Sequence, residues 1–146
     1  MDIPDKYQVP AKKPKMTLPS LKLNPIDTIL SPNGRNFLGA RPIQSNTLLT
    51  FEQLNQFSGF VLYETMLPVL SRDPSNLIVT SLRDRALIYI DDEFVGALSR
   101  ENYINTMPIS AGYGSKLEIL VENQGRINFD IANDYKVRKF LHILVN

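Results

Sequence analysis

Beyond residue 47 the chain consists of short apolar runs, and their spacing decides what it can fold into. "GFVLYETML", "LIVTSL", "RALIYID", "EFVGALSR", "INTMPIS", "KLEILVE" and "KFLHILVN" follow one another at intervals of roughly ten residues, divided by glycine, proline and acidic residues. Leu117, Ile119 and Val121 alternate with Glu118, Leu120 and Glu122, the period of a strand with one face in a core. No helical pattern long enough to serve as a crossover lies between the runs, so a parallel sheet is excluded. The expected class is all-β, an antiparallel sandwich or barrel. Asp91-Asp92 divides "RALIYI" from "EFVGALS" and reads as a hairpin turn. "INTMPIS" is the weakest strand because Pro108 lacks a ladder donor. "LLTFEQLNQ" fits a helical turn and a strand equally well.

Residues 1–47 differ in kind. Pro4, Pro10, Pro14, Pro19, Pro25, Pro32 and Pro42 lie here, from a total of 10 prolines, with Lys12, Lys13 and Lys15 among them. Proline fixes φ and removes a donor, which rules out a long helix or a central strand. We read 1–47 as an extended proline-rich arm, with a short edge strand near Leu21–Leu23, and 48–146 as the folded domain. The lysines read as solvation of that arm rather than a basic binding tail.

With 146 residues, 43% of them hydrophobic, the chain can bury one real core. A net charge of +1 supplies neither the basic field of a nucleic-acid binder nor an acidic counterpart. No apolar run reaches the roughly 18 residues of a membrane helix, and the polar start "MDIPDKYQVP" is not a signal peptide. Cysteine is absent, which removes disulfide and thiolate chemistry. The sole histidine, His142 in "FLHILVN", reads as a strand residue rather than a ligand, and the set needed for zinc is missing. No cofactor motif occurs: "AGYGS" at 111–115 has the wrong spacing for a phosphate loop.

Glycoside hydrolysis needs two carboxylates facing one cleft. The densest acidic group, Asp91, Asp92 and Glu93, sits at the hairpin tip and reads as turn chemistry. Tyr63 and Tyr89 fall within strands and read as core. Tyr103 and Tyr113 fall in loops and are the candidates for stacking on a sugar. "LRDRAL" sets Arg83, Asp84 and Arg85 at a strand entrance, where an arginine against a carboxylate would fix geometry. Arg126, just past the strand "LEILVE", is a candidate for the same network.

Three stretches in order, "TFEQLNQFSGFVLYETML", "RDRALIYIDDEFVGALSREN" and "LEILVENQGRINF" with "NDYK" behind it, resemble the acid β-galactosidases, family 35 of the glycoside hydrolases. The resemblance lies in the first β-domain after the catalytic barrel and covers roughly residues 48–136. It implies a jelly-roll sandwich like galactose-binding domains. It also implies that Glu122–Asn128 leave the sheet as a shaped polar loop. There Gly125 would supply a positive φ, and Glu122, Asn123 and Arg126 would meet the loop carrying Asp84. Family members hydrolyse terminal β-linked galactose with retention, using two glutamates in a (β/α)8 barrel. This chain contains no barrel, so no catalytic residue is carried over. The expectation is a non-catalytic domain that packs on the catalytic barrel and the second β-domain and that, alone, exposes an apolar face. Lysosomal or secreted placement follows from the family. The alternative is a free-standing lectin-like galactoside-binding module using Tyr103 and Tyr113. An independent enzyme would need a carboxylate pair that the sequence does not offer. Two departures stand out. Relatives usually carry Asp-Gly where this chain has Asp91-Asp92, which disfavours a type I′ turn. Asp130 and Val137 stand where glycine is frequent.

Overall fold

The computed structural model describes residues 11–39, 41–70, 72–125 and the backbone of strand 142–145. The chain divides into two compact units, Met1–Ala40 and Arg41–Asn146.

In the first unit residues 11–28 carry no regular structure. Leu21–Leu23 is not a strand. Pro19 and Pro25 bracket it, leaving too few amides for a ladder. One short helix, α1 (Pro32–Phe37), follows Ser31, whose side chain accepts the Gly34 N–H at 2.9 Å, with proline in its first turn. Asp27 in turn accepts the Ser31 hydroxyl at 2.8 Å. Gly34 is required here by crowding, since a Cβ would stand 1.9 Å from the Thr28 carbonyl oxygen.

The second unit opens with the ambiguous "LLTFEQLNQ" stretch, which forms a helical turn. The Thr50 N–H donates to Gln53 Oε1 at 2.8 Å and the Gln53 N–H donates to Thr50 Oγ1 at 3.2 Å, a reciprocal capping box. Phe51 from this turn is buried in the core.

Among the described residues seven strands follow: β1 (Gly59–Met66), β2 (Ser75–Thr80), β3 (Arg85–Ile90), β4 (Glu93–Ser99), β5 (Thr106–Ile109), β6 (Lys116–Asn123) and β7 (His142–Val145). All pairings are antiparallel. They form a four-stranded sheet in the order β1-β6-β3-β4 and a three-stranded sheet in the order β5-β2-β7. The core lies between the sheets. Leu77, Val79 and Ile109 of the smaller sheet meet Ala86, Ile88, Leu98, Leu117, Ile119 and Val121 of the larger one. This is a β-sandwich, the expected all-β class. Fully buried leucine or isoleucine side chains of this kind each contribute about 1.5–3 kcal/mol.

Period-2 alternation sets the faces. Val61 and Tyr63 on β1 pack inward with Ile119 and Val121 opposite them. Tyr89 has the other parity. It pairs with Glu118 and lies on the outer face, edge-on to Phe94 with ring centroids 5.5 Å apart. Of the two strand tyrosines read as core, Tyr63 enters it and Tyr89 does not.

Ile90 and Glu93 pair across a two-residue turn at Asp91-Asp92, with φ of 51° and 68°. Positive φ at both central positions is the requirement of the type I′ hairpin that glycine normally eases. Aspartate tolerates this region better than most residues, and Lys116 holds both side chains, as described below. Gly96 on β4 faces the core, where a Cβ would stand 2.7 Å from Met107 Cε on β5. The missing side chain lets the two sheets close there.

Candidate functional site

β6 is the axis of the larger sheet, paired with β1 on one side and β3 on the other. Its residues Leu117–Val121 are all buried, on both faces. Both ends of the β3–β6 pair are pinned in the same way, by an aspartate flanking β3 that accepts a backbone N–H at the first residue of β6 or just past its last.

At one end stands Asp84, a buried carboxylate. Its Oδ2 accepts the Gln124 N–H at 2.9 Å, and its Oδ1 lies 3.3 Å from an Arg100 guanidinium nitrogen at the end of β4. Its backbone N–H donates to the Glu122 carbonyl at 3.0 Å, and its carbonyl accepts the Arg100 N–H at 2.9 Å. Residue 84 thus ties together three strand ends. Arg85, the neighbouring residue, makes a looser, half-exposed ion pair with Glu122 at 3.9 Å. Asn123 shapes the exit of β6: its Oδ1 accepts the Gly125 N–H at 3.1 Å, and its amide donates to the Phe57 carbonyl at 3.1 Å. Gly125 has φ of 101°, a conformation that side chains oppose. A polar stretch follows β6 because these side chains take up the backbone groups that the sheet no longer satisfies. Arg126 lies outside the described residues.

At the other end Asp91 Oδ1 accepts the Lys116 N–H at 2.7 Å, and the Lys116 ammonium lies 2.7 Å from Asp92 and 3.1 Å from the fully buried Glu118. The hydrogen bond to Asp92 leads the causes that hold this ammonium above its ordinary pKa. Asp91 and Asp92 therefore serve the turn and its anchor. Tyr63 donates to the Leu49 carbonyl at 2.8 Å, and burial pushes its phenol up to about 12.

Tyr103 and Tyr113 are 92% and 85% exposed. They lie in the loops before and after β5, at opposite ends of a strand spanning about 13 Å. The structure does not bring them together. His142 opens β7. Among the described residues no three His, Asp or Glu side chains gather as metal ligands do. No helix among them is long and apolar enough to cross a membrane.

Two members of the Asp84 junction were not anticipated. Gln124 reaches Asp84 through its backbone N–H, which no residue type reveals, while its side-chain amide donates to Glu122 Oε2 at 3.2 Å. Arg100 was within reach. Counting back from the Asp91-Asp92 turn sets residue 84 opposite 99, and the bulge between Ile88 and Tyr89 advances β4 by one residue.

The outward face of the larger sheet is the remaining feature. The register sets Leu62, Leu120, Leu87 and Ala97 in one row across all four strands. Phe60, Met66 and Phe94 flank that row, with exposures of 55%, 63% and 58%.

Residues 49–141 match the family described as "Beta-galactosidase, first all-beta domain". The chain is similar to the β-galactosidase of Bos taurus, 37% identical over 137 residues, which is 88% of this chain and 20% of that protein. It is similar to the β-galactosidase of Homo sapiens, 36% identical over 137 residues, 88% of this chain and 19% of that protein. The Mus musculus protein named "Beta-galactosidase-1-like protein" is 34% identical over 117 residues, 76% of this chain and 18% of that protein. The chain therefore spans about a fifth of the length of the relatives it matches.

Proposed function

The chain belongs to the family of the first all-beta domain of β-galactosidase, and from that membership we propose that its work is architectural. It is the non-catalytic sandwich of a β-galactosidase, packing on and supporting a catalytic (β/α)8 barrel and a second β-domain. Hydrolysis of terminal β-linked galactose would be carried out by the barrel. The observation that carries this reading is the coincidence of two extents: the family match runs from 49 to 141, nearly the whole sandwich, yet the 137 residues aligned with the Bos taurus relative are 20% of that protein. The pinned strand ends support it. A sheet whose register is fixed at both ends by Asp84 and Asp91 presents a rigid surface to a neighbour. Lysosomal or secreted placement belongs to the same proposal.

The test is the mass of the native protein, measured by immunoblot and intact mass spectrometry from the source tissue. A species several times heavier than 16.6 kDa that contains these peptides is expected. A native species of 16.6 kDa would overturn the proposal and turn attention to galactoside binding by the sandwich itself.

A further inference from the structure

We propose that Asn33 is a site of spontaneous covalent modification, converted through a cyclic imide to aspartate or isoaspartate, and that the Ser31 hydroxyl capping α1 sets its rate. This is independent of the architectural reading above.

Asn33 is the one asparagine in the chain that glycine follows. The reaction needs the next backbone nitrogen to reach the asparagine carboxamide, and a side chain on that next residue shields the nitrogen. Gly34 has none. Nor can glycine be exchanged there, since a Cβ would stand 1.9 Å from the Thr28 carbonyl oxygen and 2.8 Å from its carbon. The local fold thus imposes the very residue that makes Asn33 reactive, and Asn33 itself is exposed. Asn36, also exposed in α1, is followed by Phe37 and lacks this property.

The Gly34 amide gives up its proton and its nitrogen attacks Asn33 Cγ. A nitrogen–carbon bond forms, the Cγ–Nδ2 bond breaks, and Nδ2 leaves as ammonia with the proton. Water then opens the ring. Opening at Cγ leaves aspartate, and opening at the main-chain carbon leaves isoaspartate.

Folding opposes the first step. A helical ψ, about −40°, holds the Gly34 nitrogen out of line with the carboxamide. The proton that must leave is donated to Ser31 Oγ at 2.9 Å, and the Ser31 hydroxyl is itself held by Asp27 at 2.8 Å. Conversion therefore waits for α1 to open. The helix has 6 residues, fewer than the roughly 12–15 at which a helix stands alone. Leu30 is the buried hydrophobic side chain of its unit among the described residues. Opening is accordingly frequent, and the rate follows the open population. The two products diverge. Aspartate puts a carboxylate into a first turn that has no acidic residue, which favours the helix. Isoaspartate lengthens the main chain between the Ser31 carbonyl and the Arg35 N–H, now bonded at 3.0 Å, so α1 does not re-form on it.

The test is incubation of the full chain at neutral pH and body temperature, with peptide mapping by mass spectrometry and electron-transfer fragmentation to tell isoaspartate from aspartate. A synthetic peptide of residues 27–39 supplies the unfolded rate. Asn33 is expected to convert in the chain, more slowly than in the peptide, while Asn36 stays intact. Ser31→Ala should speed conversion in the chain roughly fivefold, as loss of a typical N-cap implies. Asp27→Ala should act in the same direction, and neither change should alter the peptide. Equal rates in chain and peptide would overturn the proposal, as would a chain rate that neither variant changes. So would an Asn33 that stays intact in the chain and both variants while the peptide converts fully.

Discussion

Replacing Asp84 with alanine removes the one carboxylate that joins the start of β3 to the ends of β4 and β6. The backbone bonds of residue 84 to Glu122 and Arg100 survive the change, so the loss is confined to the side chain. Among the described interactions, two go. The bond from the Gln124 N–H is charge-assisted and largely shielded from water, worth about 2 kcal/mol. The Arg100 contact is longer, at 3.3 Å, and its guanidinium is 30% exposed, so it contributes about 1 kcal/mol. Asp84→Ala should therefore cost about 3 kcal/mol, a fall in Tm of roughly 12–20 °C for a domain of this size. Asp84→Asn keeps an acceptor for the Gln124 amide and loses the charge, and should cost about half as much. Arg100→Ala should cost about 1 kcal/mol, and the double variant should show a coupling of similar size. The assay is denaturant unfolding followed by circular dichroism, with the slope compared across variants to confirm that the native fold is retained. The reasoning is refuted if Asp84→Ala lies within about 0.5 kcal/mol of the parent, or if Arg100→Ala proves more costly than Asp84→Ala.

Tyr63 and Lys116 both have folded pKa values above their ordinary values of 10.0 and 10.5, so folding favours their protonated forms. The Tyr63 contribution is complete below pH 10.0 and is lost as the pH climbs towards about 12, and that of Lys116 is complete below 10.5 and is lost above it, which stability measured at rising pH should show. Tyr63→Phe should flatten part of this decline while lowering neutral-pH stability by about 1 kcal/mol through loss of the bond to Leu49. Gly96→Ala should destabilise by about 1–2 kcal/mol by crowding Met107, and shortening the opposing side chain with Met107→Val should restore part of that, a coupling read by a double-mutant cycle. Galactose at millimolar concentration should leave the NMR signals of the Tyr103 and Tyr113 loops unshifted in the isolated sandwich. Saturable shifts at both would favour the galactoside-binding alternative.

The strands were legible because alternation is a local property. Each of the seven apolar runs became a strand, Pro108 sits in the four-residue edge strand β5, and the Asp91-Asp92 turn fell where acidic residues interrupt the pattern. The helical turn at Thr50–Gln53 was also written in the sequence, as Thr-x-x-Gln, but the apolar residues around it fit either period. Which way Tyr89 points was hidden by the chemistry of the larger sheet. With Leu87 and Leu120 on one side and Ile88 and Ile119 on the other, both faces are apolar and parity alone does not mark the interior. The Asp84 junction was half visible. Asp84, Arg85, Glu122, Asn123 and Gly125 are named by their types and neighbours. Gln124 meets Asp84 through its backbone at a separation of 40 residues, which only the folded register brings about.

The place of β6 in the middle of the larger sheet also sets a timetable. β1 emerges before the other strands of the sandwich, yet its pairing partner among the described residues is β6, with Gly59 matched to Asn123. At about 5–20 residues per second, the roughly sixty residues between those partners take roughly 3–12 seconds to synthesise. Through that interval β1, with Phe60, Val61, Leu62 and Tyr63, is an unclaimed strand, while β3 and β4 have already closed their hairpin. Among the described strands β1 waits longest with no partner at all, since β2 meets β5 sooner, and a nascent-chain chaperone that shields residues 59–66 until β6 arrives is expected to raise yield.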